Sequence, residues 1–314
     1  MSGQGRGIAF VFPGQASQRE EMAAELLEHT PEARELFRRA GEVLGLDLAG
    51  VCTTGNEALL MRTDIAQPAL LTTSVAWLAA VRGRGIEATV VAGHSLGEFS
   101  AWVAAGALAF EPAVRLVRRR GELMAEAAQR NPGGMLAIIG LPNERVAEIC
   151  ERAGAAGLVR PANFNAPGQL VVSGQAEALD RVAELARAGR GKAIPLKVSG
   201  AFHSPLMDDA AYQFSRLVSA LQINEPRVPV VANATAEPVT AADGVRQAMS
   251  KQMTSPVRWT ASVHRMIADG TSLFAEIGPG QVLTKLVQRI SVEVKALPVG
   301  SLVELDALCQ EVRP

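Results

Sequence analysis

Short apolar runs that end in glycine or proline alternate with longer amphipathic stretches along the first part of this chain. Ile8 to Phe12 is a short apolar run closed by Pro13-Gly14, which predicts a buried strand running into a tight loop. Helical spacing follows over Arg19 to Glu28, Pro31 to Leu44 and Pro68 to Arg82, the last apolar on most faces and therefore expected at the centre of the molecule. Ala88 to Ala92 predicts a second buried strand, followed without a spacer by Gly93-His94-Ser95-Leu96-Gly97-Glu98 and an apolar helix over Phe99 to Leu108. A further helix is predicted over Pro112 to Gln129.

From Gly133 to about Lys197 the units become short and separate. Met135 to Gly140, Leu158 to Asn163, Leu170 to Ser173 and Ala193 to Lys197 read as strands, with helices over Asn143 to Ala153 and Ala176 to Ala188. That order, βαββαβ, predicts a ferredoxin-like subdomain over 133–198, inserted in a larger α/β body of 1–132 and 199–314. The body resumes with strand Val228 to Asn233, helix Val257 to Ala268, strand Leu273 to Ile277 ending in Gly278-Pro279-Gly280, a helix to about Ile290 and a strand near Val294 to Pro298. Alternating strands and helices imply a mostly parallel sheet covered on both faces. The tail, Ser301 to Pro314, has helical spacing at Leu302, Leu305 and Leu308.

With 31 Lys+Arg against 32 Asp+Glu, the chain lacks the basic excess that nucleic-acid or anionic-membrane binding requires. No uncharged apolar run reaches the ~18 residues of a membrane span, and the opening Met1 to Gly7 is polar with no leader-like core. Cys52, Cys150 and Cys309 are odd in number and widely spaced, which suits neither a disulfide framework nor a metal site. The expectation is a soluble cytoplasmic protein.

Gly93 to Gly97 fits G-x-S-x-G between a predicted strand and a predicted helix, the setting in which such a turn lifts a serine above a sheet edge and makes the body α/β-hydrolase-like. Ser95 is then a candidate for covalent acyl transfer, the alternative being a helix-capping serine. A serine needs a base. His29 lies at a helix end, His264 lies inside a helix, and the side chain of His94 diverges from its neighbour's in a sharp turn. His203, in the loop Gly200 to Pro205 where the chain re-enters the body, is the best candidate. No downstream acid stands out, so a Ser-His dyad oriented by an amide or a carbonyl is the economical reading, with Gln252 one candidate orienter.

Projecting Pro112 to Gln129 at ~100° per residue from Val114 puts Arg118, Arg115 and Arg119 at about 40°, 100° and 140°, on a solvated face, and Arg120 at about 240°, among apolar residues. A buried guanidinium requires a partner, either an internal carboxylate or an anionic substrate group beside the nucleophile. The second reading requires an acyl group that carries a carboxylate.

Taken together, Phe12 to Gln18, Gln67-Pro68-Ala69, Gly93 to Glu98, Arg120-Gly121, Asn163 to Gln169, Phe202-His203-Ser204, Lys251-Gln252-Met253 and Gly278-Pro279-Gly280 resemble the malonyl-CoA:acyl carrier protein transacylases and the related acyltransferase domains of polyketide synthases. The resemblance implies Ser95 as the acylated nucleophile, His203 as its base, Arg120 as the clamp on the malonyl carboxylate and the Gln252 main chain as the group orienting His203. It further implies an oxyanion hole from the N–H groups of Gln15 and Leu96, places Gln67 near substrate, and makes Phe202 a ring that excludes an α-methyl branch. Malonyl-CoA and an acyl carrier protein are the implied partners, in fatty acid or polyketide synthesis, and no metal or redox cofactor is required. Ala16 departs from the family's usual glycine and is expected to be strained if that loop needs φ > 0. An acyl hydrolase acting on carrier-bound groups is the alternative, against which an internal Arg120 argues; a silent carrier-binding scaffold would leave Ser95, His203 and Arg120 without a purpose.

Overall fold

The computed structural model describes residues 7–54 and 57–313, so most of the polar opening stretch (1–6) and the final proline of the tail lie outside the described residues. The first strand, β1 (Gly7–Phe12), ends in four buried residues. Helix α1 (Ala24–His29) starts later than its spacing predicts, because Glu21 takes a left-handed φ of 57° and breaks the helical path. Helix α2 (Pro31–Leu44) has the predicted bounds, with Pro31 in its first turn and Gly45 at φ 60° closing it. Two helices too short to show a helical repeat, α3 (Leu48–Thr53) and α4 (Glu57–Met61), were not predicted.

Helix α5 (Thr63–Gly83) begins five residues before the expected Pro68, which lies inside it. A proline there removes the N–H that would bond the Asp64 carbonyl. Arg118 Nη1 approaches that oxygen at 3.4 Å instead. Although α5 is long and apolar enough to cross a membrane, nearly all of it is buried within the body. Then come β2 (Val90–Gly93), α6 (Gly97–Ala104) and α7 (Phe110–Arg130), on which Arg120 is buried while Arg118 and Arg119 pair with Asp64, Glu122 and Glu126.

The inserted unit comprises β3 (Gly134–Ile139), α8 (Asn143–Ala153), β4 (Val159–Ala166), β5 (Gln169–Gly174), α9 (Ala176–Ala188) and β6 (Lys192–Pro195). Its strands form an antiparallel sheet in the order β4-β5-β3-β6, the ferredoxin-like arrangement that the βαββαβ pattern predicts. Leu136, Ile138, Val146, Ile149, Leu170 and Val172 pack in its core. One bridge, between Asn163 and Val257, ties β4 to the body.

Returning to the body, the chain forms α10 (Asp208–Ser219), β7 (Val230–Val231), β8 (Pro238–Val239), α11 (Ala242–Lys251), α12 (Trp259–Ala268), β9 (Thr271–Ile277), α13 (Val282–Ile290), β10 (Lys295–Val299) and α14 (Leu302–Val312). The larger sheet runs β10-β9-β1-β2-β7-β8, parallel throughout except for the β7–β8 hairpin. The predicted strand over Val228 to Asn233 shrinks to two residues, because the chain leaves the ladder where the Asn233 side chain turns toward the elbow. Helices α10 and α11 were missed although Ala210, Phe214 and Val218, and Val245 and Met249, bury one face at helical spacing. Leu305 and Leu308 dock α14 on the core.

Candidate active site

At the carboxyl ends of β1 and β2, where open parallel sheets place their ligands, the chain makes its tightest turn. Gly93 and Gly97 serve close approach here: a Cβ on Gly93 would lie 1.9 Å from the Gly97 carbonyl carbon, and one on Gly97 would lie 2.0 Å from Phe12 O. The left-handed backbone is at Ser95 itself, with φ 51°. His203 also has a positive φ, 58°, and Ala16 has φ 79°, so the expected strain at Ala16 is present.

Ser95 Oγ lies 2.8 Å from His203 Nε2. His203 Nδ1 faces two carbonyl oxygens, Gln252 O at 3.1 Å and Ser255 O at 2.9 Å. A carbonyl only accepts, so Nδ1 carries the hydrogen and Nε2 presents its lone pair to the serine. The dyad is thus oriented by main chain, by Gln252 as expected and by Ser255, which sequence reasoning did not single out. Burial first, then the charge of Arg120 and the neighbouring His94, push the His203 pKa down to about 3.

Arg120 is 1% exposed. Gly121 explains how it reaches the site, since a Cβ there would lie 2.6 Å from the Asp64 Cα and only glycine lets α7 lie so close to the start of α5. The guanidinium donates to Gln67 Oε1 at 2.9 Å and to Gln252 Oε1 at 2.8 Å, sits 5.4 Å from the centre of the Phe99 ring, and reaches Ser95 Oγ at 3.5 Å. Among the described residues no carboxylate lies within ion-pair distance of it, so neutral carboxamides, rather than an internal acid, hold this cation beside the nucleophile. Burial lowers its pKa to about 10, with Glu98 opposing the shift, so it stays charged at neutral pH.

The loop after β1 meets the elbow directly. A Cβ on Gly14 would sit 2.4 Å from His94 O, so the Gln15 and Leu96 N–H groups come from abutting segments, with Leu96 at the amino end of α6. Gln15 Nε2 donates to Thr63 Oγ1, and Gln67 is fully buried on α5. Phe202 is buried in the main core next to His203. Among the described residues no cluster of three His, Cys, Asp or Glu side chains is gathered.

Three neighbours of the elbow escaped the sequence reading. Asn233 Oδ1 accepts from Ser95 N–H at 2.7 Å, and its Nδ2 donates to Gly93 O at 2.6 Å. Glu98, 1% exposed, accepts from Asn233 N–H at 2.8 Å, and burial raises its pKa to about 7 against the pull of that N–H, Gln252 and Arg120. His94 Nε2 lies 2.8 Å from Asn165 Oδ1, tying the elbow to β4. Glu98 had a signal, a charge on the apolar helix after the elbow; a lone asparagine past a strand had none.

The profile of the acyl transferase domain matches residues 9–304. The malonyl CoA-acyl carrier protein transacylase of Bacillus subtilis (strain 168) is 42% identical over 308 residues, covering 98% of this chain and 97% of the relative. That of Escherichia coli (strain K12) is 42% identical over 303 residues, covering 96% and 97%. Among solved structures, the malonyl CoA-acyl carrier protein transacylase of Coxiella burnetii superposes with a TM-score of 0.95 at 38% identity, covering 98% of each chain. A malonyl-transacylase in complex with its type II PKS acyl-carrier protein gives 0.94 at 38%, covering 97% of this chain and 99% of that one. With matching elbow, matching fold and a profile that spans nearly all of it, this chain belongs to the acyl transferase domain family, alongside these malonyl transacylases.

Proposed function

We propose that the protein transfers malonyl from coenzyme A to the phosphopantetheine thiol of an acyl carrier protein, through an ester on Ser95. The observation that carries this reading is a buried, charged Arg120 3.5 Å from Ser95 Oγ, with no acid of its own. Bidentate contact with a carboxylate suits its planar fork.

In the first half-reaction His203 Nε2 takes the Ser95 proton as Oγ attacks the thioester carbonyl. The N–H groups of Gln15 and Leu96 receive the oxyanion. Collapse expels the coenzyme A sulfur, which takes the proton back from His203. The carrier thiol then gives its proton to His203, attacks the seryl ester and regenerates the Ser95 hydroxyl, so every proton is returned. Carbonyl oxygens of Gln252 and Ser255 hold the imidazole through both steps. Phe202 is assigned the exclusion of branched acyl groups, Gln67 the support of Arg120. In this reading residues 1–132 and 199–314 form the catalytic body, and 133–198 the subdomain beside it. A cytoplasmic setting accords with a coenzyme A substrate and with cysteines that are all unpaired.

Incubation with radiolabelled malonyl-CoA, acid quenching and peptide mapping tests this. Stable label on the Ser95 peptide, discharged to added carrier protein, is expected; rapid release of free malonate without carrier would overturn transfer in favour of hydrolysis.

A further inference from the structure

Asn233 lies just past the carboxyl end of β7, whose Val230 and Val231 pair with Val91 and Ala92 of β2. Continued by two residues, that register would set Asn233 opposite His94, where β2 has already turned into the elbow. The backbone ladder ends there, yet its bonding pattern goes on. In a parallel sheet each residue of one strand accepts from and donates to two groups on its neighbour, an N–H and the C=O two residues earlier. Asn233 does this with its side chain: Oδ1 takes Ser95 N–H at 2.7 Å and Nδ2 gives to Gly93 O at 2.6 Å.

The carboxamide is itself anchored. Its own N–H goes to Glu98 Oε2 at 2.8 Å and its C=O accepts from Arg258 N–H at 2.9 Å, leaving all four polar groups of Asn233 engaged at 1% exposure. On the far side of the nucleophile, Gln252 Nε2 donates to Ser95 O at 2.6 Å. Both peptide groups flanking Ser95 are therefore held by side-chain amides. Because carbonyl and N–H point oppositely across a trans peptide, fixing Ser95 O also aims Leu96 N–H.

We propose that Asn233 is a positioning residue for acyl transfer, its carboxamide standing in for one peptide group of an absent strand and holding Ser95 in its left-handed elbow conformation. The inference rests on the reading of Ser95 as the acylated nucleophile. Asparagine suits the place because it offers a donor and an acceptor at one fixed spacing without charge. An ionised aspartate would keep the acceptor, lose the donor, and face both Gly93 O and the Glu98 carboxylate. A protonated aspartic acid would restore the pair, with its C=O toward Ser95 N–H and its O–H toward Gly93 O.

Single-turnover acylation by malonyl-CoA, measured by rapid quench from pH 5 to 8 with melting curves on the same samples, tests the proposal. Asn233→Ala is expected to slow acylation ~10²-fold, the scale of an ångström-sized misplacement, with half-saturation little changed. Asn233→Asp should regain rate as pH falls, adding a limb that the native protein lacks. Glu98 on α6, Arg120 on α7, His94 in the elbow and His203 before α10 are the ionisable groups around the elbow; they are present in both proteins, so the added limb reports position 233. Native rates in a folded Asn233→Ala, or an Asn233→Asp profile parallel to the native one, would overturn the inference. Failure of both variants to fold would overturn it too, by placing the contribution of Asn233 in stability alone. Label persisting in Ser95→Ala would instead overturn the reading of the nucleophile beneath it.

Discussion

The two sheets bury different things. At the β1–β2 end of the parallel sheet, Gln67, Glu98, Arg120, His203, Asn233 and Gln252 meet with none more than 4% exposed, and Ala16, Ser95 and His203 all have positive φ. The antiparallel sheet packs Leu, Ile, Val and Ala, and its buried polar side chains, Asn163 and Ser173, are not ionisable. Its edge strand β6 instead exposes Ile194 and Leu196 beside Lys192 and Lys197. Strain and buried charge are costly and persist only where surrounding structure over-determines them. The large body, with α5, α6 and α7 against one end of its sheet, supplies that support, while the small sheet is suited to presenting surface.

The largest effect should come from the centre of the strained region. Ser95→Ala is expected to abolish covalent malonyl labelling while leaving the melting curve cooperative; label surviving in this variant would move the chemistry elsewhere. His203→Ala should slow both half-reactions by ~10² or more, the usual contribution of a positioned general base. Its pH dependence sharpens the point. The base works when neutral, and activity falls as pH drops through its pKa; with that value pushed down to about 3, kcat/KM of the native protein should show no loss of this base between pH 8 and 5. An inflection near the ordinary histidine value would contradict the burial of His203.

Arg120→Ala comes next. Loss of a charge-assisted contact predicts a ~10 to 10³-fold fall in malonyl transfer, while acetyl transfer is kept or improved. Equal decline of both substrates, with a lowered melting temperature, would make Arg120 a structural cation. The smallest effect belongs to the other sheet. Lys192→Ala and Lys197→Ala should weaken transfer to an acidic carrier protein a few-fold and flatten its salt dependence, leaving acylation by malonyl-CoA unchanged. Equal salt sensitivity of the two half-reactions in the native protein would remove the division between the sheets.

Much of this was legible before any coordinates. The βαββαβ order was readable because each unit of the small sheet carries one local period, and α2, α8 and α9 have the bounds their spacing predicts. Arg120 was readable because a single cation interrupts an apolar face. The start of α5 was not, since proline usually marks a helix start, and here a cation from α7 satisfies the carbonyl that Pro68 leaves behind. Asn233 and Ser255 were illegible for a different reason. Their roles come from adjacency between β2, β7 and the segment after α11, separations of 138 and 52 residues to the groups they bond, which leave no periodic trace.

The closeness of Arg120 to the dyad has one more consequence. A catalytic triad keeps a fixed acid against its imidazole to stabilise the charge that the ring acquires. Here the ring meets two carbonyls and, across the serine, a permanent cation that holds its basicity down. On the proposed reading, a malonyl group would lay its own carboxylate on that cation, neutralise much of its field and make His203 a better base for as long as the cargo is seated. An acetyl group would bring no such charge. The missing acid of the triad would then arrive with the substrate and leave with it, so that the protein's selectivity would act on the proton transfer as well as on binding.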